Sequence, residues 1–150
     1  NTVDTHRAIA EAIRQMWKTE LGVETTLRNE EWKVYLDSQD KLDYDLARAG
    51  WIADYPDPHG FLDLWASGGG NNDTGYANPA YDRVLATALL APDEAARFAV
   101  YRELDALLTR DLPAIPLYFY KRVYLISPRV RHWVPTLLDT RGWQHIDLVD

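Results

Sequence analysis

Apolar residues in this chain switch repeatedly between a three-to-four-residue spacing and a two-residue spacing. A polypeptide that does so is built to layer helices against strands, because a helix presents one face every 3.6 residues and a strand one face every two. From Asp4 or Thr5, either of which can cap a helix, Ala8, Ile9, Ala12, Ile13, Met16 and Trp17 recur at helical spacing until Gly22 supplies a stop. Val23, Thr25 and Leu27 then alternate with polar neighbours as a strand does, and Asn29 is placed to cap a short helix carrying Trp32, Tyr35 and Leu36. Residues 46–51 read as a second strand. A proline-bearing loop over 52–58 follows, then a short helix around Phe61, Leu62 and Trp65, and a polar, glycine-rich loop over 67–78.

The most regular stretch comes next. Helices are predicted over 79–90 and 93–110, the second with Phe98, Tyr101, Leu104, Leu107 and Leu108 on roughly one face. Asp111-Leu112-Pro113 ends it, and residues 115–120 and 123–126 read as two strands separated by Lys121-Arg122. The fold class expected is therefore an α/β or α+β layered domain. From Ser127 onward, Pro128, Pro135 and Gly142 interrupt a tail with no clear period. Its Val130, Trp133, Val134, Leu137, Leu138, Trp143, Ile146 and Leu148 need a surface to cover.

A length of 150 residues with 47% apolar content suits one compact core. The net charge of -7 argues against nucleic acid and anionic lipid as partners, since both attract proteins through clustered Lys and Arg. The densest basic stretch, Lys121, Arg122, Arg129, Arg131 and His132, is broken by Val123-Tyr124-Leu125-Ile126 and reads as a solvated strand edge. Without cysteine there is no disulfide framework and no thiolate metal site. No run approaches the ~20 apolar residues of a membrane span, so no membrane insertion is expected. Asn1-Thr2-Val3 leads almost directly into a helix without an initiator Met, which suggests a fragment whose signal sequence lies outside it.

Asp54, Asp57 and His59 combine ligand types that suit hard and transition cations. Two prolines restrict their convergence and no second His lies at ligand spacing, so neither a metal nor a cofactor is expected. Catalysis by a nucleophile is not indicated: there is no Cys and no Gly-x-Ser-x-Gly turn, and His6, His59, His132 and His145 are scattered. Gly68-Gly69-Gly70 lacks the Lys-Ser/Thr of a phosphate loop and reads as a flexible turn. The residues from Asp43 to Tyr55 are more telling, because a strand ends in Gly50-Trp51 and runs into Asp54 among aromatics. Glycine permits close approach of another backbone, an aromatic supplies a wall, and a carboxylate can hold an ammonium group. On these residues alone an ordinary strand with Trp51 in the core fits equally well.

Several motifs stand together in a familiar order: Glu31-Trp32, the run from Asp45 to Tyr55, Asn71-Asn72, the run from Asn78 to Asp82, and the run from Asp111 to Tyr120. In this the chain resembles the oligopeptide-binding, OppA-like branch of the bacterial family 5 solute-binding proteins of ABC importers. The likeness covers nearly the whole chain, is specific between Glu31 and Tyr120, and fades after Pro128. It implies one lobe of a two-lobed, periplasmic-binding-protein-like clam-shell with a mixed sheet flanked by helices. Residues 1–126 would form most of the second lobe, with a hinge near 120–123, and residues 127–150 would cross back to the first lobe.

The resemblance also implies roles. Asp54 would pair with a peptide's α-amino group, and the Gly50-Trp51-Ile52 backbone would pair with the peptide as an added strand, a mode that accepts many sequences. Arg48 would reach a carboxylate or polar group, Trp32 and Trp51 would wall side-chain pockets, Tyr120 would lie near the hinge, and Asn71 is a further contact. One departure stands out: relatives often carry Asn-Glu-Pro-Thr where this chain has Pro56-Asp57-Pro58-His59. The function expected is non-enzymatic capture of short peptides outside the cytoplasm, with ABC permease subunits as partners. Alternatives are a dipeptide, nickel or sugar ligand on the same fold, a peptidase, or a cytosolic interaction module. In isolation the chain is expected to fold partially or to associate with itself through its exposed tail, and to bind peptide more weakly than the intact protein.

Overall fold

The apolar spacing at the amino end becomes helix α1 (Asp4–Met16), which continues through a π-helical turn (Trp17–Leu21) to Gly22. Gly22 has φ 67°, a left-handed conformation that costs glycine nothing, so the helix stops where the sequence indicates. The opposite end corrects the expectation. Val3 is the cap and contributes no side-chain bond, while Asp4 sits in the first turn, where its charge faces the positive end of the helix dipole. The computed structural model describes residues 3–136, 138–139 and 141–149, so Asn1, Thr2 and Leu137 of the readings above lie outside the described residues. The chain divides into two units, residues 1–48 and residues 49–150.

In the first unit, α2 (Trp32–Asp40) is capped by Glu31, whose carboxylate accepts from the Lys33 N–H at 2.9 Å. The predicted cap, Asn29, lies too early: Glu31 immediately precedes the first helical residue and reaches the open N–H groups directly. Ser38 and Gln39 are buried on this helix. Ser38 Oγ donates to Glu30 at 3.0 Å, and Arg28 Nε donates to the other Glu30 oxygen at 2.6 Å. The interior here is a polar one.

The second unit contains α3 (His59–Leu62), which passes into a 3₁₀ turn (Asp63–Trp65), then α4 (Pro79–Ala88) and α5 (Glu94–Asp111). Asn78 caps α4 by accepting from the Ala80 and Tyr81 N–H groups at 2.9 and 3.3 Å, with Pro79 at the first helical position. Asp93 caps α5 through the Ala96 N–H at 2.8 Å. The two helices pack on each other and on α3 around Leu62, Tyr81, Leu85, Ala88, Tyr101 and Leu104. Tyr81 is completely buried, and its hydroxyl donates to the Leu62 carbonyl at 2.6 Å. That bond satisfies a group whose burial would otherwise be costly and ties α3 to α4. Leu112, at φ 48°, closes α5 just before Pro113.

Strands are where expectation and structure part. Segments 23–27, 46–51, 115–120 and 123–126 form no sheet among the described residues. A strand exists only when a neighbour completes its ladder, and sequence period reports the face pattern without the neighbour. Their side chains are largely open, with Phe119 95% and Leu125 101% exposed. The sheet that is present has two short antiparallel strands, β1 (Val130–Arg131) and β2 (Asp147–Leu148), with Val130 opposite Leu148. The tail thus finds contacts of its own. The Arg141 guanidinium lies 4.7 Å from the Tyr124 ring centre and 4.3 Å from that of Trp133, Trp133 meets Trp143 edge-to-face at 6.0 Å, and Asp139 pairs with both Arg122 and Arg141. No helix among the described residues is long and apolar enough to cross a membrane.

Leu104 is fully buried between the helices. Replacing it by Ala should lower unfolding free energy by about 2–5 kcal/mol, the range for a core leucine whose cavity does not collapse. Urea unfolding of the full-length protein, followed by tryptophan fluorescence, measures the loss.

Candidate functional site

In the first unit the structure joins three residues around Arg48. The Tyr35 hydroxyl donates to the Arg48 carbonyl at 2.8 Å, and the Trp32 ring stacks on Tyr35 with centroids 5.3 Å apart. The indole remains 55% exposed, so Trp32 offers a free face. Arg48 Nη2 lies 2.9 Å from His6 Nε2. A guanidinium can only donate, so Nε2 accepts and the imidazole is neutral. Burial, and then the Arg48 charge, hold the His6 pKa below its ordinary value.

In the second unit the predicted strand-and-carboxylate segment stands open. Gly50, Trp51, Ile52 and Asp54 are all exposed, so Trp51 is not a core residue. The segment has a definite seat. A Cβ placed on Gly60 would meet Ala53 Cβ at 3.4 Å and Tyr55 Cζ at 3.6 Å. The residues on either side of Asp54 therefore rest against the first turn of α3, and the exposed Asp54 is carried between them.

The four residues by which this chain departs from its expected pattern build the anchor for that turn. Asp57 Oδ1 accepts from the Tyr101 hydroxyl at 2.6 Å and from the His59 N–H at 2.9 Å, and Oδ2 lies 3.3 Å from Arg97. Burial alone would raise the Asp57 carboxyl, but the Tyr101 hydroxyl, the His59 N–H and the Arg97 charge outweigh it and hold the pKa below the ordinary 3.8. The Tyr55 hydroxyl and His59 Nδ1 are 2.7 Å apart. Among the described residues no group of three or more His, Cys, Asp or Glu is assembled to hold a metal ion.

Asn71 is exposed, while its neighbour Asn72 is the residue that organises the loop. Asn72 Nδ2 donates to the Ala66 and Tyr76 carbonyls at 3.0 and 2.8 Å, and its Oδ1 accepts from the Thr74 hydroxyl at 2.8 Å. Tyr120 is half-exposed and packs edge-to-face with Tyr118 at 5.1 Å. Sequence reasoning missed His6 and Asp57 as parts of these arrangements. His6 is 42 positions from Arg48, and no local pattern marks the pair. Asp57 carried a signal, a carboxylate between two prolines, but its partners on α5 are some 40 residues away.

Residues 1–73 match the family described as "Bacterial extracellular solute-binding proteins, family 5 Middle". The periplasmic oligopeptide-binding protein OppA of Salmonella typhimurium is 38% identical over 130 residues, which is 87% of this chain and 24% of that protein. Among solved structures, the Escherichia coli murein tripeptide binding protein MppA superposes with a TM-score of 0.89 at 36% identity, covering 100% of this chain and 30% of that one. Haemophilus influenzae OppA in complex with RPPGFSPFR does so with a TM-score of 0.88 at 32% identity, again over 100% and 30%. The chain belongs to the family 5 bacterial extracellular solute-binding proteins. It spans about a quarter of the length of the curated relatives it matches.

The Asp57 anchor has a pH dependence with a definite sign. A carboxyl whose pKa falls on folding contributes stability at pH above its unfolded value and loses it as pH drops through the folded one. Order in the 54–58 loop should therefore weaken below about pH 4, and Asp57→Asn should remove that part of the acid response. Tyr101 ring signals followed by NMR from pH 6 to 2 would register both effects.

Proposed function

We propose that this chain is a peptide-receiving part of an extracytoplasmic solute-binding protein, which captures short peptides and hands them to the permease of an ABC importer without chemical change. The observation that carries the reading is the outward-facing Asp54, seated through its neighbours on α3 at the end of the open Gly50-Trp51-Ile52 segment. An exposed backbone followed by a carboxylate suits a peptide's main chain and its amino end. Relatives whose names specify oligopeptides and murein peptide, both called periplasmic, support the ligand class and the location outside the cytoplasm.

Arg48 and His6 extend the reading. A ligand carboxylate arriving beside them would accept from the guanidinium and, once the imidazole takes a proton, from His6 as well. Trp32 and Trp51 would wall side-chain pockets, and Tyr120 and Asn71 complete the set of ligand-facing residues. In the longer protein we assign residues 1–126 to the second lobe of a clam-shell, with the hinge near 120–123. Residues 127–150 would return to the first lobe, and segments 46–51, 115–120 and 123–126 would gain their strand neighbours in a mixed sheet.

Asp54→Asn in the full-length protein should weaken binding of a free-amine tripeptide by about 1.5–3 kcal/mol, the value of a hydrogen bond to a charged group. N-acetylated tripeptide should bind poorly to the unaltered protein. Calorimetry tests both, and unchanged affinity of the variant for a free-amine peptide would refute the assignment.

A further inference from the structure

The side chain proposed to hold an ammonium group stands on an exposed bend, so the contacts that hold the bend decide where it stands. Residues 54–57 form a bend in which the Asp57 N–H donates to the Tyr55 carbonyl at 2.9 Å, and Pro56 and Pro58 remove two backbone freedoms on either side of Asp57. The Gly60 N–H donates to the Asp57 carbonyl at 3.1 Å, which couples the bend to the turn of α3 that Ala53 and Tyr55 rest on. What fixes the bend to the rest of the unit is the Asp57 carboxylate, with Tyr101 and Arg97 of α5 on its two oxygens. Tyr101 is 4% exposed and belongs to the core, so the anchor point is rigid.

We infer that Asp57 is a positioning residue for the amino-end carboxylate: through Tyr101 and Arg97 it clamps the Pro56–Pro58 bend onto α5 and thereby sets where Asp54 stands. This rests on the peptide-binding reading above and adds to it a specificity device. The clamp makes recognition of the free amino end depend on three side chains, Asp57, Tyr101 and Arg97, that stand behind the binding carboxylate. A rigid seat costs less ordering on binding than a loop that must be fixed anew each time.

The test uses three single variants of the full-length protein, Tyr101→Phe, Asp57→Asn and Asp54→Asn, and the first two combined with the third, with one tripeptide in free-amine and N-acetylated forms. Tyr101→Phe keeps the buried ring and removes only the hydroxyl, so it serves if the Asp57 variant folds poorly. Tyr101→Phe and Asp57→Asn are each expected to weaken free-amine binding about tenfold, leave the weak binding of the acetylated peptide unchanged, and have little further effect once Asp54 is already Asn. Equal loss for both peptide forms would mean a general structural role and overturn the inference, as would full retention of free-amine affinity in both clamp variants. If Asp54→Asn by itself had no effect, the amino-end assignment would fail and this inference with it. A loss at Asp54 without one at Tyr101 or Asp57 would refute the clamp alone.

Discussion

Much of the second unit depends on one hydrogen bond in its core, from the Tyr81 hydroxyl to the Leu62 carbonyl. Tyr81 has no exposed surface, so its hydroxyl must find a partner inside or pay the full cost of desolvation. Leu62 is the last residue of a four-residue helix too short to stand unaided. Satisfying the one group fixes the other, and α3 takes a defined position against α4 and α5. Because Gly60 lies on that short helix, the backbone on both sides of Asp54 is located by the same bond.

The contrast within the chain is between helices that complete their own hydrogen bonding and extended segments that do not. α4 and α5 are capped at their N-termini by Asn78 and Asp93, and α5 is closed by a left-handed Leu112. At the end of the pair away from their connection, Asp111 at the close of α5 accepts from Tyr76 and from Asn78 at the start of α4, at 2.8 Å each. The Arg110 side chain and then Tyr76 hold the Asp111 pKa down at about 2, so this latch stays ionised throughout the neutral range. The open segments have the opposite character: they form no ladder among the described residues, and many of their apolar side chains, Phe119 and Leu125 foremost, are exposed.

Charged groups are held in different ways along the chain. Asp54 is exposed and acidic, whereas Arg48, six positions earlier, keeps its guanidinium beside a neutral imidazole. The Arg48–His6 contact places a fixed positive charge next to a group that can gain one. In the tail, Arg141 is nearly buried between Tyr124 and Trp133, a cation held by ring faces and by Asp139.

Helix content and order were legible because helices answer to local rules. The spacing of Ile9, Ile13 and Met16, the stop at Gly22, the short helix at Phe61 and Leu62, and the pair over 79–111 all appear close to where periodicity and capping place them. Caps were less reliable at Val3 and Glu31, since any residue at the boundary can take the position once the helix begins. The Gly50-Trp51-Ile52-Ala53-Asp54 motif was legible through its resemblance to a family. Tertiary structure alone decided that Trp51 is open, that Gly60 seats the residues flanking Asp54, and that Asp57 reaches α5. It also placed His6 against Arg48. The Asp57 and His6 contacts join residues 44 and 42 positions apart, and hydrogen bonds of that kind leave no period in the sequence because each depends on where two separate elements come to rest.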